Sequence, residues 1–246
     1  MTLTILNSKR AAVFDIDGTL VDTRETHLRV WGDVLAEAGV EVSRERLERL
    51  FGKHSDEWVR ELLPPERQAE GHRVVQRKNA LFAMHLTELR PFPKARQLLR
   101  AVKAAGILIA FATGATREEL AHHLHLLDAG RAPARLRSEA GALAQGIADA
   151  TAYDREVAHG KPAPDIYALA VCRLGVEPVA AVAIGDSLYD VQSARAAGME
   201  CIALLTGGFT QAQLLGAGAV EVYPAVADLY DAFVRSERGS CIGEIC

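Results

Sequence analysis

Cysteine is scarce in this chain: four in 246 residues, Cys172, Cys201, Cys241 and Cys246, with no Cys-x-x-Cys pair. That argues against a disulfide framework and makes reduced thiols the default expectation. An excess of positive charge is also missing. Lysine and arginine total 28 against 32 aspartates and glutamates, for a formal net charge of -4, so no basic field advertises a nucleic-acid partner. No apolar stretch is long enough to span a bilayer, and the opening Met1-Thr2-Leu3-Thr4-Ile5-Leu6 is too short and polar for a secretory h-region. The expectation is therefore a cytoplasmic protein with no membrane partner. Repeats and low-complexity tracts are absent as well. The tail Cys241-Ile242-Gly243-Glu244-Ile245-Cys246 has no cysteine four from its end, so it is not a prenylation signal, and residues 237–246 are expected to be a flexible end.

What the chain does have is an apolar run, Ala11 to Phe14, that delivers Asp15 and Asp17 and then breaks at Gly18. Residues i and i+2 share a face in a strand, and glycine allows a sharp turn, so the two carboxylates can address one small volume. From about 24 to 90 the pattern is helical. Leu28, Trp31, Val34, Leu35 and Ala38 share a face before Gly39; further helices run through Leu47, Leu50 and Phe51, through Val59, Leu62 and Leu63, and through Leu81, Phe82 and Leu89. Trp31 and Trp58 read as core of that helical block. Beyond Pro91 and Pro93 the chain alternates: Ala95–Ala105 helical, Ile107–Thr113 a β-rich run, Pro164–Leu174 helical, then apolar runs at 179–185, 201–205 and 220–223. Such alternation predicts a doubly wound α/β fold with a parallel sheet, interrupted after its first strand by a helical insertion. The boundaries expected are 1–22 and 91–236 for the core and 23–90 for the insertion.

Ligands of an open parallel sheet bind beyond the carboxyl ends of its strands. Three runs end in reactive residues there: Asp15, then Thr113-Gly114, then Gly185-Asp186 with Asp190 four further on. A fourth element, His159-Gly160-Lys161-Pro162, supplies a cation. It is not a P-loop, because Arg155 and Pro162 stand where glycine and a hydroxyl residue are required. Convergence of Asp15, Asp17, Asp186 and Asp190 on a phosphate would demand compensating cations, and an oxygen-only donor set suits Mg²⁺. Asp15 is expected to be ionised at neutral pH and able to attack phosphorus directly. Asp17 would protonate the leaving oxygen and later deprotonate water, a task that favours a raised pKa, and crowding by other carboxylates would supply one.

Asp15-x-Asp17-Gly18-Thr19, Thr113, Lys161 before Pro162, and Gly185-Asp186-x-x-x-Asp190 resemble the four motifs of the haloacid dehalogenase-like hydrolase superfamily. The helical insertion and Leu204-Leu205-Thr206-Gly207-Gly208-Phe209 are similar to its phosphoglycolate-phosphatase and β-phosphoglucomutase branch. The resemblance implies a Rossmann-like core with a helical cap, and hydrolysis of a small phosphorylated metabolite through an aspartyl-phosphate. It implies that Asp15 and Asp186 ligate Mg²⁺, with the Asp17 carbonyl and with Asp190 nearby. Thr113 and the Gly114 amide would hold phosphate oxygens, and Lys161 would neutralise phosphate and Asp15. Residues 128–150 depart from the compact strand and loop usual in that branch.

Within the superfamily, Asp17 favours a phosphatase. Dehalogenation expels halide and needs no acid, and the phosphonate-cleaving branch lacks an acid there, although Lys53 in Phe51-Gly52-Lys53-His54-Ser55 would suit its Schiff base. A phosphosugar mutase stays open as the alternative, with Lys53, Arg24 and Arg117 as candidate donors to a second phosphate, and a non-catalytic binding module is a further one. Lys53, His54 and Ser55 are candidate cap contacts to substrate. His54, His85, His122, His123 and His159 lack zinc spacing and read as surface or packing residues. A monomer and a homodimer are both compatible with the sequence.

Overall fold

The computed structural model describes residues 4–127, 146–153 and 155–240, with side chains described to residue 235. In chain order the elements are β1 (Ala11–Phe14), β2 (Val21–Asp22), α1 (Arg24–Glu37), α2 (Arg44–Leu50), α3 (Ser55–Leu62), α4 (Gly71–Ala83) and β3 (Arg90–Pro91). There follow α5 (Ala95–Ala104), β4 (Leu108–Thr113), α6 (Arg117–Leu127), β5 (Ala150–Tyr153), α7 (Asp165–Leu174) and β6 (Ala181–Gly185). The chain continues through α8 (Leu188–Ala196), β7 (Glu200–Leu204), α9 (Gln211–Ala217), β8 (Glu221–Tyr223) and α10 (Val226–Ser240).

Six strands form one parallel sheet in the order β5-β4-β1-β6-β7-β8. Its two faces differ in size, because side chains alternate along a strand. Phe14, Ile109, Phe111, Ile184 and Ile202 are on one face with Leu98, Leu99, Val226, Leu229 and Phe233 from α5 and α10. The opposite face is almost all alanine: Ala11, Ala110, Ala112, Ala181, Ala183 and Ala203 lie under Ile166, Tyr167, Val171 and Val191 of α7 and α8. Small residues there let those two helices approach the sheet closely, which matters because α7 and α8 carry Tyr167 and Asp190 into the site.

The chain leaves this core and returns at one place. β2 and β3 pair antiparallel, Val21 with Pro91 and Asp22 with Arg90, so helices α1 to α4 hang from two adjacent crossings. Trp31 and Trp58 stack at 4.8 Å inside that helical block. The last of its helices is shorter than the periodicity predicts: α4 ends at Ala83, and Leu86–Glu88 is a separate 3-10 turn. Pro91 disfavours helical backbone at Arg90, so the segment must unwind before β3. Two other expectations shift. The stretch 128–150 that departs from the branch ends at the first residue of the edge strand β5, whereas 128–145 lie outside the described residues. Helix α10 runs to Ser240, past the boundary expected at 236; Cys241 and Cys246 lie outside the described residues. Among the described residues no helix is long and apolar enough to cross a membrane.

Candidate active site

Parallel register gathers the chemistry. Phe14 is level with Phe111 on one side and Ile184 on the other, so Asp15, Thr113 and Asp186 emerge from the same edge of the sheet. The turn that follows needs Gly18: its φ is +79°, and a Cβ there would collide with Asp186 Oδ2.

Three carboxylates meet around Lys161. Its Nζ lies 2.6 Å from Asp15 Oδ1 and 2.7 Å from Asp190 Oδ1. Asp190 is held further by the Tyr167 hydroxyl at 3.0 Å on Oδ1 and by the Ser187 amide and hydroxyl at 3.1 and 2.5 Å on Oδ2. Asp186 is held by less. Thr19 donates to its Oδ1 at 3.1 Å, while Oδ2 is buried with no hydrogen-bond partner. Asp15, Asp186 and Asp190 each present an oxygen such that all three lie within 4.8 Å of one another.

Asp17 occupies a second cluster. The Thr113 hydroxyl donates to its Oδ2 at 3.1 Å, and His27 Nε2 and His123 Nε2 lie 3.4 and 3.7 Å from Oδ1. Lys78 and Glu119 stand beside them, 4 % and 3 % exposed. A cavity of about 70 Å³ runs between core and inserted helices, lined among others by Asp15, Asp17, Lys161, Gly114, Lys53, His54, Ser55, Lys78 and Glu119. The structure therefore brings the four motifs and Lys53, His54 and Ser55 to one region. Thr113, Asp186 and Asp190 lie behind the cavity wall rather than on it. Gly114 lines the cavity and has open space where a side chain would be.

The electrostatics correct the sequence reading at both acids. Burial, reinforced by Asp190 and Asp17, pushes Asp15 up to about 7 in spite of Lys161. Burial likewise pushes Asp186 well up, with Asp190 and Asp15 adding to it. At Asp17 burial raises the carboxyl, but His123, His27 and Lys78 outweigh it and hold it well below the usual range. Crowding by carboxylates thus acts on Asp15 and Asp186, not on Asp17. Burial pulls the Lys161 ammonium down, yet Asp15 and Asp190 outweigh burial and hold it above the ordinary lysine value.

Several neighbours escape a reading of the sequence. His123, expected at the surface or in packing, is fully buried beside Asp17 with neither ring nitrogen hydrogen-bonded. His27, Lys78, Glu119, Thr19 and Tyr167 carry no motif that would single them out, except that Thr19 closes Asp15-x-Asp17-Gly18-Thr19. Conversely, the donors considered for a second phosphate are engaged elsewhere. Lys53 pairs with Glu61 and lies 5.0 Å over the Tyr189 ring. Arg24 donates to the Gly207 carbonyl at 3.1 Å and pairs with Glu25, and Arg117 lines a separate cavity. His54 caps α3, accepting from the Asp56 amide at 3.3 Å, while its own amide donates to the Lys161 carbonyl.

The donor set fits a hard divalent cation: oxygen only, three carboxylates, and an orphaned buried oxygen on Asp186. A cation there would also lower the raised carboxyls.

A haloacid dehalogenase-like hydrolase model matches residues 9–198. Protein CbbY of Cereibacter sphaeroides is 34% identical over 233 residues, 89% of this chain and 93% of its own length. The fructose-1-phosphate phosphatase YqaB of Escherichia coli is 31% identical over 199 residues, 77% of this chain and 93% of its own. A hydrolase structure from Pseudomonas syringae superposes with a TM-score of 0.77 at 22% identity, covering 92% of this chain and 99% of that one, which speaks to the fold. With its four motifs converging at the strand ends and the helical block inserted after β1, the chain belongs to the haloacid dehalogenase-like hydrolases, in their phosphoglycolate-phosphatase and β-phosphoglucomutase branch.

Proposed function

We propose that this protein is a Mg²⁺-dependent phosphatase of small phosphorylated carbohydrates, working through an aspartyl-phosphate on Asp15. The observation that carries the reading is the pairing of Asp15 with Lys161 at 2.6 Å, with Asp17 two residues along and held apart by Thr113 at 3.1 Å. One acid is thus aimed with a cation beside it, and the other is kept free for proton transfer. The names of two relatives, a fructose-1-phosphate phosphatase and a hexitol phosphatase, support the substrate class.

Asp15 and Asp186 would hold the cation, with the Asp17 carbonyl; Asp190, whose two oxygens already carry four partners, would position Lys161 instead. When bound, the cation supplies charge neutralisation for the phosphoryl group. Asp15 Oδ attacks phosphorus and the bond to the ester oxygen breaks, with Asp17 giving that oxygen its proton. Asp17 then takes a proton from water, which attacks phosphorus, releasing phosphate and regenerating Asp15. The site holds Asp17 as a carboxylate, ready for the second step. For the first, the arriving dianion raises the proton affinity of Asp17. The Gly114 amide and Lys161 would neutralise the transferring oxygens, and residues 23–90 would close over them as a cap.

A mutase would need further cations for a second phosphate, and Lys53 and Arg24 are already paired. Phosphate release from fructose 1-phosphate and glucose 6-phosphate, with Mg²⁺, with EDTA and with Asp15→Asn, tests the reading. Release is expected only for the wild type with metal; turnover by Asp15→Asn removes the nucleophile, and conversion of β-glucose 1-phosphate to its 6-phosphate isomer makes the protein a mutase.

A further inference from the structure

Lys78 on α4 and Glu119 on α6 face each other across the junction of inserted helices and core, with Lys78 Nζ 3.7 Å from Glu119 Oε1. That separation is too long for a hydrogen bond. Glu119 Oε1 is buried and has no hydrogen-bond partner, and Lys78 donates no hydrogen bond to any described residue; its Nζ lies 4.8 Å from the Phe82 ring, and its charge also reaches Asp17 and His27. Both residues are nine-tenths buried or more, and both line the cavity that holds Asp15 and Lys161. Buried charges are ordinarily paired and fully hydrogen-bonded. Here two opposite charges stand slightly apart with unused valence, directed at the space a substrate would fill.

A structural role accounts for half of Glu119. Its Oε2 accepts from the Thr116 amide at 2.6 Å, and its own amide donates to Thr116 Oγ1 at 3.3 Å, a capping box at the start of α6. Glutamine serves in a capping box as well as glutamate, so the cap explains neither the negative charge nor the idle Oε1.

Resting on the phosphatase reading, we infer that Lys78 and Glu119 form a hydroxyl-reading site for the leaving group, so that the substrates are phosphate esters of polyols or sugars and not of hydroxy acids. A hydroxyl accepts from an ammonium and donates to a carboxylate at once, which completes both valences in one step. A carboxylate on the leaving group would satisfy Lys78 but meet Glu119 as a like charge. An alkyl group would leave both unpaired, and sites built to bind a hydroxyl reject analogues lacking it most strongly of all. Trp31 and Trp58, stacked on each other, also line this cavity.

The test compares glycerol 1-phosphate, propyl phosphate and 2-phosphoglycolate, which share the reacting group and differ in the remainder. We would measure kcat/KM by phosphate release, and calorimetric affinity for Asp15→Asn, in the background of wild type, Glu119→Gln and Lys78→Met. The wild type should favour glycerol 1-phosphate over propyl phosphate by roughly tenfold to a hundredfold, with 2-phosphoglycolate weakest. Glu119→Gln, which keeps the capping box, and Lys78→Met should each bring the glycerol-to-propyl ratio to within about threefold of one. A wild-type ratio near one, a ratio that survives both substitutions, or a preference for 2-phosphoglycolate overturns the inference. A loss shared equally by all three esters assigns Glu119 to folding alone and overturns it too. If no ester is hydrolysed the phosphatase reading fails, while the affinities still decide the hydroxyl site.

Discussion

Replacing the proposed nucleophile should stabilise the metal-free protein. Asp15 is 4 % exposed and its carboxyl is pushed up to about 7, first by burial and then by Asp190 and Asp17. An acid with a raised folded-state pKa contributes stability that is fully present below its unfolded value near 3.8 and is lost as pH rises through about 7. Asp15→Asn keeps the shape and removes the ionisation, so it escapes that loss. Groups remote from the site are common to both proteins and drop out of their difference, whereas Asp186 and Lys161, which feel the Asp15 charge, contribute to it. From pH 5 to pH 8 the advantage of the variant should grow by nearly two pH units at 1.36 kcal/mol each, about 3 kcal/mol, most of it below pH 7, and level off above pH 8. In a chain of this size that corresponds to roughly 6 to 12 °C in Tm. Thermal and urea melts of both proteins in EDTA at pH 5, 6, 7 and 8 measure it directly. Saturating Mg²⁺ should shrink the gap at pH 8, because a cation among the carboxylates stabilises their ionised forms. A difference that does not change between pH 5 and pH 8, or a variant less stable at both, refutes the argument that Asp15 is held at an energetic cost for function.

Two further outcomes follow from neighbours of the acids. Thr19→Val removes the donor at 3.1 Å from Asp186 Oδ1 in a fully buried position; urea melts should show a loss of about 1 to 3 kcal/mol, and Mg²⁺ titration a weaker affinity. His123→Leu removes the strongest of the groups that lower the Asp17 carboxyl, so the acid limb of the kcat/KM profile should move to higher pH; a profile that keeps its shape while activity falls uniformly would assign His123 to packing alone.

How far the sequence could be read depended on the range of the interactions involved. Asp15 and Asp17 are legible because the alternation of a strand and the turn at Gly18 are local properties. Helix α1 is legible because Leu28, Trp31, Val34 and Leu35 repeat at helical spacing. The end of α4 was misjudged because the unwinding before Pro91 leaves no periodic mark. For His123 the choice between surface and packing stayed open, because a histidine's burial depends on what packs over it, here the Asp17 side chain and the elements that bracket it. The direction of the acid shifts was also out of reach: it depends on how the burial of each acid balances against the side chains beside it, and Lys161 and His123 are 146 and 106 positions from the acids they neighbour.

The sequence alone determined five strands of the sheet, the helical insertion after β1 and the four reactive segments, since each is written in short-range pattern and residue type, whereas β2, β3 and β5 left no such mark. Only the tertiary structure decided which acid carries the raised carboxyl, that Asp190 is already occupied in holding Lys161, and that Lys78 meets Glu119 across the cavity. The physical reason is that charge energies and hydrogen-bond valence are properties of distance and burial, and both are set by where the sheet and the inserted helices place side chains far apart along the chain.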